Sequence, residues 1–150
     1  MAEYVVPVSF YTFALQDTAE QGEIFPAGLV PKSRAAFVEI RPGRLDITTA
    51  AHTHEVVLTV NVLTGPPAPD AVGNVEESTS GTVTSPSGEL AAWEMLGRTP
   101  YTISLSHGPG TYGFDAVSMG GAAVRRAETA IGGGPTGAVE RIRIRFWPAG

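Results

Sequence analysis

One hundred and fifty residues without a cysteine, at a formal net charge of −5, exclude disulfide scaffolding, thiolate metal sites and cysteine nucleophiles, and argue against a general affinity for nucleic acid. Eighteen glycines and twelve prolines are scattered through a chain that is 43% hydrophobic, the composition of short apolar strands separated by many turns. The length suits one domain over residues 1–150; no basic n-region follows Met1 and no apolar run approaches the roughly 20 residues that cross a bilayer, so the expectation is a soluble, cytoplasmic protein with no membrane partner.

In chain order, Tyr4 to Leu15 alternates with apolar groups on both faces and reads as a strand covered on both sides. Pro7 has no amide proton and belongs at an edge, a bulge or a strand start, which places the well-paired part at Val8 to Leu15. Asp17 to Pro31 loses periodicity and reads as an acidic loop with one helical turn near Thr18 to Gln21. Ala35 to Arg41 and Leu45 to Thr49 form a hairpin, because Pro42-Gly43 fits the central positions of a type II turn.

His52 to Leu63 has the strongest strand signal. Val56, Leu58, Val60 and Val62 point one way, and Val57, Thr59, Asn61 and Leu63 the other, as in a central strand. Thr64 to Asp70 is a stiff, proline-rich surface loop. Val72 to Ser85 is threonine-rich and reads as an exposed or edge strand anchored by Val75 and Val83. After the Ser85-Pro-Ser-Gly88 turn, Glu89 to Leu96 has helical propensity but is short for a helix, and the context favours a strand. Tyr101 to Leu105 and Thr111 to Met119 read as a hairpin across His107-Gly-Pro-Gly110.

Gly120 to Gly137 reads as a long mobile loop with helical turns at Ala122 to Thr129. The last strand, Val139 to Trp147, sets Ile142, Ile144 and Phe146 against Arg141, Arg143, Arg145 and Trp147. Roughly eight or nine such strands define an all-β class, an antiparallel two-sheet β-sandwich, jelly-roll-like, with little helix.

Two constellations carry chemistry. His52 and His54 stand at i and i+2, a spacing by which two imidazoles on one strand face reach one metal ion, as in cupins. The residues after Glu55 supply no acidic ligand, Glu55 points to the opposite face, and His107 sits in a turn, so exposed histidines at a strand entrance are the reading taken, with no metal or cofactor assigned. Arg141, Arg143 and Arg145 put three guanidinium groups on one face, able to grip phosphates or an acidic protein surface, and Trp147 on that face is a residue enriched in binding hot spots. The plainer reading is a protected sheet edge whose arginines pair with cross-strand acids. No phosphate-binding loop, nucleophile elbow or catalytic carboxylate pair is present, so no catalytic residue is assigned.

Val8 to Asp17, with Gly110 to Val117 much later, resembles the first and penultimate strands of the competence protein J family, and Ser85 to Leu90 with Arg145 to Ala149 is similar to a group of uncharacterised actinobacterial β-sandwich proteins. The resemblance implies an intracellular, β-rich inhibitor of a partner nuclease without catalysis of its own. The chain departs from that family in its Gly120 to Gly137 insertion and arginine-rich last strand, and no partner-contacting residue is carried over.

The expectation is therefore a non-enzymatic protein-binding sandwich, an inhibitor or immunity-type protein, with Arg141, Arg143, Arg145 and Trp147 as partner-binding residues. The alternatives are a cupin-like metal enzyme on His52 and His54, and a structural subunit that packs as a homo-oligomer.

Overall fold

The structure, a computed structural model, describes residues 1–19, 36–69, 73–94, 97–129 and 139–149, with the side chains of residues 128 and 129 outside that description. In order they form β1 (Ala2–Val8), β2 (Thr12–Asp17), β3 (Val38–Arg41), β4 (Arg44–Thr48), β5 (His54–Val62), β6 (Glu77–Ser85), β7 (Glu89–Glu94), β8 (Gly97–Ser104), β9 (Gly110–Met119), α1 (Gly121–Thr129) and β10 (Glu140–Pro148). One five-stranded sheet, sheet A, has the order β1-β5-β10-β9-β6; the other, sheet B, has the order β3-β4-β2-β7-β8. The two pack face to face as an all-β sandwich.

Period-two patterning explains the packing. Val56, Leu58 and Val60 of β5, Ile142, Ile144 and Phe146 of β10, and Phe114 of β9 meet Phe13 and Leu15 of β2, Leu45 and Ile47 of β4, and Leu90 of β7 in one buried cluster. Each such side chain contributes about 1.5–3 kcal/mol by leaving water. Within sheet A the alternate residues of each strand then necessarily face outward, which is how the last strand's arginines come to line an open surface.

Several expectations change in the three-dimensional arrangement. The run Tyr4 to Leu15 is two strands in different sheets, broken at Phe10 and Tyr11, which take φ of +57° and +65°. The Thr12 amide donates to the Ser9 carbonyl across this turn. Pro7 is paired within β1, and β1 is an edge of sheet A, where a missing amide proton does no harm. β5 is interior as expected, yet the middle of sheet A is β10, which pairs parallel with β5 and antiparallel with β9. β10 is therefore no sheet edge, and edge protection does not account for its arginines.

β3 and β4 form the expected hairpin, with Gly43 at φ +67°. β8 and β9 do not pair: β8 lies beside β7 in sheet B and β9 between β10 and β6 in sheet A, so the His107 to Gly110 turn crosses between sheets. The Tyr112 hydroxyl ties this crossing, donating to the Gly108 carbonyl at 2.6 Å and accepting from the His107 amide at 2.9 Å. β6 is the expected edge strand; Val83 is buried, whereas Val75 is exposed rather than an anchor. β7 is a strand, and α1 covers the helical turns expected at Ala122 to Thr129. Most of the acidic loop after Asp17 and the remainder of the Gly120 to Gly137 stretch lie outside the described residues. Among the described residues no helix is long and apolar enough to cross a membrane.

Candidate partner-binding face

The outward face of sheet A is laid out by strand register. One row runs Val5, Val57, Arg141, Met119; the next Glu3, Thr59, Arg143, Val117, Ser78; the next Asn61, Arg145, Asp115, Ser80; and the last Trp147, Gly113, Thr82. All four residues expected to bind a partner, Arg141, Arg143, Arg145 and Trp147, thus share the middle column of one surface.

Each is held differently. Arg141 is exposed, whereas Arg143, Arg145 and Trp147 are half-buried. The Arg145 Nε donates to Asp115 Oδ1 at 2.8 Å and its Nη2 donates to Oδ2, a forked pair that fixes the guanidinium against its cross-strand neighbour. The pair is the cross-strand partnership the plainer reading expected for this stripe. Trp147 lies over Gly113, its register partner, where an added Cβ would come within 2.5 Å of the indole Nε1. The missing side chain lets the ring lie flat on the sheet and makes it a fixed, partly wet aromatic surface.

Two open depressions flank Arg145. One, of about 690 Å³, is lined by Ser78, Ser80, Asp115, Val117 and Arg143 with Arg145. The other, of about 520 Å³, lies between Arg145, Asn61 and the Leu63 to Pro67 loop. The Asn61 Oδ1 at its edge is buried and accepts no hydrogen bond from the described residues. The face therefore presents guanidinium groups, an aromatic plate and a buried acceptor that takes no hydrogen bond from the described residues.

The corresponding outward face of sheet B differs. There Arg41 donates to Asp46 at 2.6 Å, and Arg44 donates to Asp46 at 2.7 Å and to Gln16 at 2.9 Å. Gln16, Arg44 and Asp46 are buried, and the hydrogen bond from Arg41 to Asp46 holds that guanidinium above its ordinary pKa.

The histidines do not form one site. His54 Nε2 bonds Glu140 Oε1 at 2.7 Å, and Glu140, 2% exposed, also accepts from the Ala50 amide at 3.2 Å. Glu76 accepts from the Ala122 amide at 2.9 Å, at the start of α1, where the unsatisfied N–H groups and helix dipole favour a carboxylate. His52 instead bonds the Thr53 hydroxyl at 2.7 Å and meets the rings of Phe10 and Tyr11 edge-on. His107 bonds Ser106 in its turn. Among the described residues no three His, Asp or Glu side chains are grouped to hold a metal ion.

A second polar tie joins the sheets. Asp17, buried at the end of β2, accepts from the Ser85 hydroxyl at the end of β6 and from the Ser87 amide and hydroxyl at 3.0 Å. The Ala19 amide also donates to it, at 2.8 Å. Burial would raise its pKa, but these hydrogen bonds outweigh it and hold the carboxyl below the ordinary aspartate value. Asp17 opens the segment that reads in sequence as an acidic loop; only the folded chain brings Ser85 and Ser87 onto it. Asn61, Gly113 and Asp115 were likewise not singled out, because their place beside the arginines depends on register.

The molecule is thus a two-sheet β-sandwich with one open, arginine-centred face. No family model matches the chain, and no curated protein matches it in sequence. In fold it is similar to ComJ, the inhibitor of the DNA-degrading activity of NucA from Bacillus subtilis, at a TM-score of 0.62 and 9% identity, covering 99% of this chain and 96% of that one. It is also similar to the protein named Crocagin biosynthetic gene J, at a TM-score of 0.63 and 16% identity, covering 99% of this chain and 97% of that one. The likeness runs nearly end to end and is one of fold.

Proposed function

We propose that this chain is a non-enzymatic binding protein that docks a protein partner on the open face of sheet A, as an inhibitor or immunity-type protein of a nuclease or toxin. The observation that carries the reading is the gathering of Arg141, Arg143, Arg145 and Trp147 on one surface, flanked by two depressions. The fold likeness to a nuclease inhibitor supports the choice of partner class. Guanidinium forks suit clustered carboxylates, such as those that hold catalytic metal ions in many nucleases, and an inhibitor that engages them denies the metal and the phosphodiester their place. The net charge of −5 adds long-range attraction for a cationic nuclease, while the arginines act at contact range.

The test is affinity capture from cells that express the protein, with Arg143→Glu, Trp147→Ala as the control bait, followed by a DNA-hydrolysis assay of the captured partner. A partner retained by the wild type, lost by the variant and inhibited at equimolar ratio is the expected result. Equal retention by both baits would remove the face from the interface.

A further inference from the structure

A sandwich of two open sheets has four edge strands, and each edge invites pairing with another chain unless something blocks it. β1 carries Pro7 and the exposed Glu3. β3 is only four residues long, with Glu39 and Arg41 alternating along it. β8 carries the exposed Arg98 and Pro100. β6 is the least protected: it runs nine residues, Glu77 to Ser85, without a proline, its only charged residue is the first, and its register with β9 is unbroken. Ser78, Ser80, Thr82 and Thr84 are exposed along it, and among the described residues no strand pairs with its outer edge. Two exposed apolar side chains stand beside that edge. Ile40, 46% exposed, leans on Gly81, where an added Cβ would meet its Cδ1 at 2.6 Å; Val75, 38% exposed, precedes the strand.

The pattern of β6 selects its occupant. In antiparallel pairing of two copies about Gly81, Ser80 faces the second copy's Thr82, Ser78 faces its Thr84, Thr79 faces its Val83, and Glu77 faces its Ser85. Hydroxyl-bearing pairs of this kind stabilise a ladder, and no like charges are opposed. Sliding the axis four residues toward the N-terminus opposes Glu77 to its own copy, and sliding the other way meets Pro86, which has no amide to give. The strand is therefore self-complementary about its own centre, as a two-fold interface requires. The geometry points to β6 as a dimerisation edge, joining the A sheets of two copies into one continuous sheet and covering Ile40 and Val75. The edge shares Val75, Ser78 and Ser80 with the depression beside Arg143 and Arg145, so self-pairing borders the proposed partner face and is read by mass alone, without a partner.

The experiment is sedimentation equilibrium over low to high micromolar concentration. The wild type is expected to double its mass across that range; the Ser80→Lys, Thr82→Lys variant, which opposes lysines across the axis, stays monomeric, and so does the Ser80→Glu, Thr82→Glu variant. Mixing the two variants restores a dimer, which a variant that had merely misfolded would not do. Because the chain has no native cysteine, the Ser80→Cys, Thr82→Cys variant is expected to cross-link on oxidation, whereas a Ser80→Cys, Thr84→Cys variant, out of register, cross-links far less. A wild type that stays monomeric throughout, or a dimer indifferent to the lysine pair, overturns the proposal. A monomer whose β6 edge instead binds an added extended peptide overturns it in favour of a partner strand.

Discussion

At the scale of single residues, two positions make sharp demands. Gly113 is required because Trp147 occupies the space of its side chain. Gly113→Ala forces the indole off the sheet, and overpacking of this kind costs about 1–3 kcal/mol. The expected result is a lower urea midpoint with tryptophan emission shifted toward that of a solvated ring, read in a Trp93→Phe background so that one indole reports. Asp17 makes a demand on pH. Its folded pKa lies below its ordinary value because hydrogen bonds from Ser85, Ser87 and Ala19 outweigh burial. A depressed carboxyl stabilises the fold fully above the unfolded pKa of about 3.9, and that contribution is lost as pH falls through the lower folded value. Urea midpoints measured downward from about pH 5 should therefore fall more steeply in the wild type than in Asp17→Asn, which starts less stable by about 1–3 kcal/mol because the substituted amide cannot accept every donor. Parallel curves for the two proteins would remove Asp17 from the acid response.

At the scale of elements, the strands were legible and their partners were not. Alternation of apolar residues located β5 and β10 to within two residues, because a buried sheet face leaves no other pattern. The break at Phe10 and Tyr11 was invisible, since neither is a residue that turns usually employ at positive φ. The turn before β9 was read correctly as a turn, but a short connection serves equally for a hairpin and for a step between sheets. β10 was misjudged as an edge for a related reason: nothing local tells a last strand that it will lie beside β5. The strained turn offers its own test. Left-handed geometry costs a non-glycine residue about 1–2 kcal/mol, and asparagine tolerates it better. Phe10 is 47% exposed, and its edge contact with His52 is worth less than that cost. Phe10→Asn is thus expected to raise stability by roughly 0.5 kcal/mol in urea unfolding; a loss would mean that the Phe10 and His52 contact outweighs the backbone strain. His54→Ala acts oppositely. It leaves the Glu140 carboxyl, 2% exposed, with the Ala50 amide but without its imidazole, and leaving a buried acceptor short of a hydrogen bond in this way costs about 1–3 kcal/mol. That loss would appear in the same measurement, whereas an unchanged midpoint would show that the imidazole is dispensable to the junction of β5 and β10.

At the scale of the whole molecule, charge is unevenly placed. The formal total is −5, yet the middle column of sheet A carries three arginines with Asp115 paired to one of them. Two kinds of partner can exploit this arrangement, and they respond oppositely to one change. An acidic surface docked on the arginine column loses attraction when Arg141 and Arg143 become glutamate; a cationic surface held by the acidic remainder gains it. Arg141 is exposed and Arg143 half-buried on an outward face, so the substitutions are expected to move the unfolding midpoint little while they move binding strongly. For docking on the column, Arg141→Glu, Arg143→Glu should weaken partner affinity at least tenfold, about 1.4 kcal/mol. The association rate separates steering from contact: rim charges act mainly on association, and desolvated forks on dissociation. A faster dissociation with nearly constant association would place the arginines inside the interface. A tighter complex in the charge-reversed variant would move the interface to the acidic remainder and leave the column with a structural role alone.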